Sequence, residues 1–122
     1  MKKIMLWLAL FLAFTGGYAC AQNVSAAVEI RHLIESVEAL QGAAFIRNGS
    51  EYDAGKAAEH LRIKLKMAGD RVKSAEDFIE LCASKSSLSG EAYRIRLSDG
   101  TVIDAEAFFR RRLKALRTDT PS

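Results

Sequence analysis

The sequence has little cysteine, and it has no apolar run long enough to span a membrane. Its two cysteines are Cys20 and Cys82, and Cys20 falls inside a predicted leader. Because Cys82 then stands alone, an internal disulfide is excluded, and the fold cannot depend on the cross-links of many small exported proteins. Linkers, repeats and low-complexity tracts are also lacking. About 100 mature residues suffice for one domain with one modest core.

Residues 1–21 are predicted to be a cleavable secretory signal peptide. Lys2 and Lys3 form its charged start, residues 4–14 are uninterruptedly apolar, and the small residues within 19–21 suit cleavage. The apolar run is shorter than the roughly 20 residues that a transmembrane helix needs. We therefore expect no transmembrane segment once the leader is removed.

The mature chain is expected to begin at Gln22 and to be located in the periplasm. The alternative is a lipoprotein signal that is cleaved before Cys20. Tyr18 fits that alternative poorly, because small or short branched residues are expected at its position. We therefore favour a soluble mature chain in which residues 22–122 form a single domain.

Neither sign of charge predominates in the mature chain. The full sequence has 18 basic and 15 acidic residues, a formal net charge of +3. Lys2 and Lys3 leave with the leader, so 16 basic residues remain against 15 acidic ones, a net charge of +1. This balance lacks the basic excess that attracts nucleic acid independently of its sequence. We expect no nucleic-acid partner.

Patterns that mark catalytic or metal sites are scarce. No Ser-x-x-Lys spacing occurs, and no carboxylate pair or ligand set has a diagnostic spacing. His32 and Glu35 have the i, i+3 spacing of two helical metal ligands, but a solvated pair is the favoured interpretation. A nucleophilic Cys82 with His60 as its base is an alternative to a buried, inert thiol, which its apolar neighbours favour. We expect no catalytic residue, no metal and no cofactor.

Hydrophobic spacing predicts an α+β fold, a single small domain of about four helices with a short antiparallel β-hairpin. Apolar residues recur at intervals of four and three over about 25–40, which predicts an amphipathic helix. A central helix is expected to begin near Asp53, which can cap it, and to bury Leu61. Residues 74–77 resemble a capping box and open a third helix, and a fourth follows Asp104.

Two strands are predicted between the third and fourth helices. Residues 93–97 alternate between apolar and basic side chains, which is typical of a half-buried strand. With Asp99 and Gly100 as a two-residue turn, Leu97 is expected to face Val102 across the hairpin.

Polar residues from three segments form the candidate ligand-binding face. His60 and Lys64 are four residues apart, so they are neighbours on the central helix, near Arg47 at the end of a short strand signal. Taken alone, these basic side chains are better interpreted as the rim of a core than as a ligand-facing edge. Residues 84–87 are rich in serine, which can hydrogen-bond an anion or a sugar but also stabilises turns.

Several ordered motifs resemble a known family. FIRNG at residues 45–49, HLRIKL at 60–65 and SKSSLSGEAYRI at 84–95, with the pair Phe78-Ile79 between them, resemble the YfeK-like proteins over about residues 42–116. These are small signal-peptide-bearing proteins of the bacterial periplasm, so the resemblance implies that location but no particular activity. By resemblance, the motif positions are Phe45, Ile46, Arg47, Asn48, Gly49, His60, Leu61, Arg62, Lys64, Ser86, Ser87, Gly90 and Tyr93. The candidate ligand-binding residues are the polar ones: Arg47, Asn48, His60, Arg62, Lys64, Ser86, Ser87 and Tyr93.

The leading prediction is a non-catalytic periplasmic binding or interaction module with a polar, basic ligand face. Its expected partner is an anionic or glycan ligand, or another protein of the cell envelope. One alternative is an enzyme that acts on envelope material with His60 as a base. Another is a structural accessory subunit that buries Ile63 and Met67 against a partner.

Overall fold

A computed structural model of the chain describes residues 26–119. The predicted leader, its cleavage site and the start of the mature chain lie outside the described residues. The elements are helix α1 over 26–38, strands β1 Ala44–Arg47 and β2 Ser50–Tyr52, helices α2 Ala54–Ala68 and α3 Ala75–Phe78, strands β3 Arg94–Arg96 and β4 Val102–Asp104, and helix α4 Ala105–Asp119. Over the described range the protein is a small α+β domain, as predicted. None of these helices has the length and apolar character needed to cross a membrane.

The strands form one antiparallel sheet in the order β2-β1-β3-β4. The strand signal at residues 45–47 therefore becomes β1, an inner strand that joins two hairpins. Ile95 lies opposite Phe45 on one side and opposite Ile103 on the other. These side chains share the face of the sheet that packs against the helical core.

The predicted caps are present at the starts of α2 and α3. The Asp53 carboxylate accepts a hydrogen bond from the Lys56 backbone N–H at 2.8 Å. At α3 the Ser74 Oγ accepts from the Asp77 N–H at 3.1 Å. Each cap satisfies a backbone donor that has no partner within its helix, which sets where the helix begins. After Phe78, α3 continues as a π-helical turn, Ile79–Ala83.

The core lies between the helices and one face of the sheet. The middle parts of the apolar stripes predicted for α1 and α2 are buried, and Leu61 is 7% exposed. Phe78 of α3 and Phe109 of α4 meet edge to face with ring centroids 6.3 Å apart, a favoured aromatic geometry. The buried apolar residues are Ile30, Leu33, Ile34, Val37, Ala57, Ala58, Leu61, Ala68, Ala75, Phe78, Ile79, Cys82, Ala83, Ile95, Ala105, Phe109 and Leu113.

Three helices are joined at the surface by one arginine near the end of α4. Arg117 contacts Glu29 of α1 at 2.9 Å and Glu76 of α3 at 2.6 Å. The hydrogen bonds from Arg117 to the two carboxylates raise the pKa of its guanidinium above the ordinary value.

The register of the β3–β4 hairpin differs from the predicted one. Val102 lies opposite Arg96, and the Leu97 N–H donates to the Thr101 carbonyl at 2.8 Å. The predicted pairing of Leu97 with Val102 is therefore wrong by one residue. The Asp99 carboxylate accepts from the Thr101 N–H, and Gly100 has φ +91°, which suits a three-residue loop. The shift moves Val102 to the outer face of the sheet.

Candidate functional site

A cleft of about 50 Å³ lies where β1 and α2 meet the π-helical turn and the start of β3. Its floor is apolar and consists of Phe45, Leu61 and Phe109 with three small alanines. The polar side chains of the lining surround this floor and form the mouth of the cleft. They are Arg47, Tyr52, His60, Lys64, Tyr93 and Arg94. No carboxylate lines the cleft among the described residues.

Arg47 and His60 are joined across the mouth of the cleft. Arg47 is the last residue of β1, directly before the turn in which Asn48 and Gly49 have positive φ. Its Nη1 lies 2.6 Å from the His60 Nε2. A guanidinium can only donate, so the His60 Nε2 accepts and the ring is neutral, with its proton on Nδ1. The Tyr52 ring meets the His60 ring edge to face at a centroid distance of 5.6 Å.

The surroundings of His60 favour this neutral form. Burial lowers the pKa of the imidazole, and the positive charges of Arg47 and then Lys64 lower it further. Glu59 acts in the opposite direction with a smaller effect. Because these dominant influences all disfavour a positive ring, His60 brings no charge to the cleft at neutral pH, and its acceptor nitrogen is already used by Arg47.

Lys64 is held on the other side of the same cleft. Its Nζ donates to the Tyr93 hydroxyl at 2.9 Å and to the Lys85 carbonyl at 3.3 Å. Tyr93 is fixed by its own backbone, because its N–H donates to the Ser84 carbonyl and its carbonyl accepts from the Ala105 N–H. These neutral partners orient the ammonium without cancelling its charge.

Asn48 and Ser86 contact each other beside the cleft and have a positioning role. Ser86 is 2% exposed, and its Oγ accepts from the Asn48 side-chain amide at 3.1 Å. The same oxygen accepts from the Leu88 N–H at 3.2 Å and the Ser89 N–H at 3.4 Å. The Ser89 hydroxyl in turn donates to the Asn48 side-chain carbonyl. This network joins the serine-rich loop, residues 84–90, to the β1–β2 turn.

Four of the eight predicted residues do not line the cleft, and two of these, Arg62 and Ser87, lie outside the Asn48–Ser86 network as well. Arg62 points to α1, where its guanidinium binds both carboxylate oxygens of Glu38 at 3.0 and 3.3 Å. Ser87 is exposed on the serine-rich loop. The structure thus brings Arg47, His60, Lys64 and Tyr93 to one cleft and places Asn48 and Ser86 beside it. Arg62 and Ser87 are not brought to the cleft.

Tyr52 and Arg94 also line the cleft but were not among the predicted residues. Tyr52 lies opposite Phe45 across β1 and β2. The Asn-Gly turn sets this register, so the turn signal already implied that Tyr52 shares a face with Phe45. Arg94 is exposed and lies 3.7 Å from the Asp104 carboxylate.

The other reactive side chains singled out from the sequence lie outside the cleft. Cys82 is 1% exposed, and burial raises the pKa of its thiol, which disfavours the thiolate. His32 and Glu35 form an exposed pair 3.8 Å apart. Within residues 26–119, no group of three or more His, Cys, Asp or Glu side chains is placed to hold a metal ion.

Arg47 and Lys64 differ from the other described basic side chains, because both are half-buried and neither has an acidic partner. Among the described lysines and arginines, Arg47, Lys64 and Arg96 are half-buried and the others are exposed. Arg96 is paired with Glu51 at 2.6 Å. Arg47 and Lys64 have no carboxylate within 4.0 Å in the described part of the chain, and both line the cleft. The Arg47 Nε is moreover shielded from solvent and lacks a hydrogen-bond acceptor.

Comparison with known proteins supports the resemblance seen in the motifs. The family described as "Family of unknown function (DUF5329)" matches residues 24–117. The chain is also 34% identical over 95 residues to the "Uncharacterized protein YfeK" of Salmonella typhimurium strain LT2, a match that covers 76% of this chain and 77% of that protein. No solved structure matches the chain. The match spans the cleft and nearly all of the described domain, and the chain belongs to the YfeK-like family of unknown function, DUF5329.

Proposed function

We propose that the chain is a non-catalytic binding module of the periplasm, and that the cleft between β1 and α2 receives an anionic ligand from the cell envelope. The observation that carries this proposal is the pair of half-buried cations, Arg47 and Lys64, which have no carboxylate partner and line one cleft. Charges withdrawn from water are normally paired, and Arg96, the third half-buried cation, is paired with Glu51. A bound anion would supply the missing partner.

The hydrogen bonds already present at the mouth support a role in recognition. Neutral acceptors orient the two cations, so little side-chain entropy is lost when an anion binds. Hydrogen bonds to charged groups contribute about 1.5–3 kcal/mol each. Two such contacts give useful affinity even in a small cleft.

The enzyme alternative has less support from the geometry. His60 is neutral and so has the protonation state of a base, but its Nε2 is engaged by Arg47. Cys82, the nucleophile considered from the sequence, is buried with a raised pKa. The site therefore favours binding over covalent chemistry.

A second candidate, an accessory subunit, is favoured by a different observation. Ile63 is 49% exposed and Met67 is 77% exposed, one turn apart on α2. A partner protein that covered this ridge would bury both side chains.

Capture of a ligand from the periplasm tests the proposed binding function. The mature chain is incubated with the small-molecule fraction of periplasmic extract and examined by native mass spectrometry for a retained mass. We expect wild type and Lys66→Gln to retain the same compound and Lys64→Gln to lose it. Lys66 is a matched control, because it is an exposed lysine on the same helix.

Salt provides a second readout of the same experiment. Retention that depends on partly exposed charges should weaken as ionic strength rises, because exposed charges are screened over about 8–10 Å near physiological salt.

Equal retention by wild type and Lys64→Gln, or no retention by either, would count against the cleft as a binding site.

A further inference from the structure

The cleft combines a charged mouth with an apolar floor, and this contrast identifies a ligand class. We propose that the group that enters the cleft is a carboxylate that carries a compact apolar substituent, such as a branched alkyl group of about four carbons. This inference rests on the proposed binding function and specifies its ligand.

The floor selects against hydroxyl-rich groups. Phe45, Leu61 and Phe109 are carbon-rich parts of the lining, and the buried residues Ala57, Ala83 and Ala105 add only methyl groups. A sugar ring placed against them would lose the hydrogen bonds that its hydroxyls make with water. An alkyl group loses none, and each methylene that becomes buried strengthens binding by roughly fourfold.

The size of the cleft limits the substituent. Its volume is about 50 Å³, on a scale where one water molecule needs about 10–15 Å³. It thus has room for roughly four groups of the size of water or methyl. An isobutyl group fits that room, whereas a long acyl chain does not.

The donors at the mouth match a carboxylate. Lys64 has three N–H donors, and two of them are used by the Tyr93 hydroxyl and the Lys85 carbonyl. Arg47 uses one of its five N–H donors on His60, and no carboxylate takes up the donors that remain on its terminal nitrogens. One carboxylate oxygen for each cation accounts for these free donors. A phosphate dianion would bring more oxygens, and Arg94, the other cation of the lining, already lies near Asp104.

A ligand series tests the inference without altering the protein. Labelled mature chain is titrated by NMR with 4-methylpentanoate, its neutral amide, acetate, glucuronate and inorganic phosphate, and the amide signals of Arg47, Lys64 and Tyr93 are followed. We expect 4-methylpentanoate to bind at least tenfold more tightly than each of the other four. N-acetyl-leucine, included in parallel, distinguishes the end of a peptide from a free acid, because both offer the same carboxylate and isobutyl group.

A protein variant confirms that the preference arises in the cleft. In Lys64→Gln the advantage of 4-methylpentanoate over its amide should shrink severalfold, while Lys66→Gln should retain it. Tighter binding of glucuronate or phosphate at the same residues would overturn the ligand class and leave the binding function standing. Absence of any shift with all six compounds would also overturn it. The extract experiment, which presupposes no ligand, then decides whether the binding function falls as well.

Discussion

The guanidinium of Arg47 donates to the imidazole of His60 over 2.6 Å, so a permanent cation on β1 is joined to a neutral histidine on α2. The bond bridges two elements that together form the mouth of the cleft. It exists only while the His60 Nε2 is unprotonated, because a protonated ring would set donor against donor. The pH of the surroundings therefore acts directly on the geometry of the candidate site.

The free energy of unfolding should decrease as the pH is lowered, because of His60. Its pKa in the folded protein is lowered from the ordinary 6.5 by burial and by Arg47 and Lys64. The unfolded chain then binds more protons than the folded one as pH falls through about 6.5 towards the folded pKa, and stability is lost over that window. Urea midpoints at pH 7.5 and pH 5 should differ less in His60→Gln than in wild type. His32→Gln is the matched control, and if it flattens the pH dependence as much as His60→Gln does, the explanation is wrong.

Leu61 should contribute strongly to the stability of the domain. It is buried in α2, so Leu61→Ala should lower the free energy of unfolding by about 2–5 kcal/mol. Ile63 lies two residues on and is 49% exposed. Ile63→Ala should therefore change the free energy by no more than about 0.5 kcal/mol. Equal urea midpoints for the two variants would contradict the burial pattern of α2.

Ser86 should stabilise the serine-rich loop, whereas its neighbour Ser87 should not. Ser86→Ala removes an acceptor used by Asn48 and by two backbone N–H groups, at a cost of about 1–3 kcal/mol. Ser87 is exposed, so Ser87→Ala should leave the unfolding free energy nearly unchanged. Hydrogen exchange should show faster exchange at residues 88–90 in Ser86→Ala alone. Similar behaviour of the two variants would argue against the network.

Cys82 should resist modification in the folded protein. Its side chain is buried and its thiol pKa is raised, so neither access nor thiolate is available. A thiol reagent should label it slowly in native buffer and rapidly in denaturant. Labelling at the same rate in both conditions would restore the nucleophile hypothesis.

The sequence predicted most of the helical structure because the relevant signals are local. Asp53 and Ser74 cap the expected helices. The chain turns at Asn48 and Gly49, two residues that tolerate the positive φ found there. The β3–β4 register was less predictable, because Asp99-Gly100 suits both a two-residue turn and the three-residue loop that forms. The apolar residues Leu97 and Val102 on either side of the turn are compatible with both loop lengths.

The composition of the cleft was only partly predictable. His60 and Lys64 share a face through helical spacing, but whether Tyr93 would reach Lys64 depends on the packing of β3, which no local signal fixes. Arg62 entered the candidate set through a motif. Its partner, Glu38, is on α1, and the orientation of α1 relative to α2 is a tertiary property.

The contact between Arg117 and Glu29 also shows that the two ends of the described region lie close together. Arg117 is two residues from the end of α4 and contacts Glu29, three residues after the first described residue. The two ends of the domain are therefore adjacent on its surface, an arrangement that favours circular permutation and insertion into a host protein. A short linker from residue 119 to residue 26 should close the chain, and the exposed loop at residues 98–100 offers a place to open it.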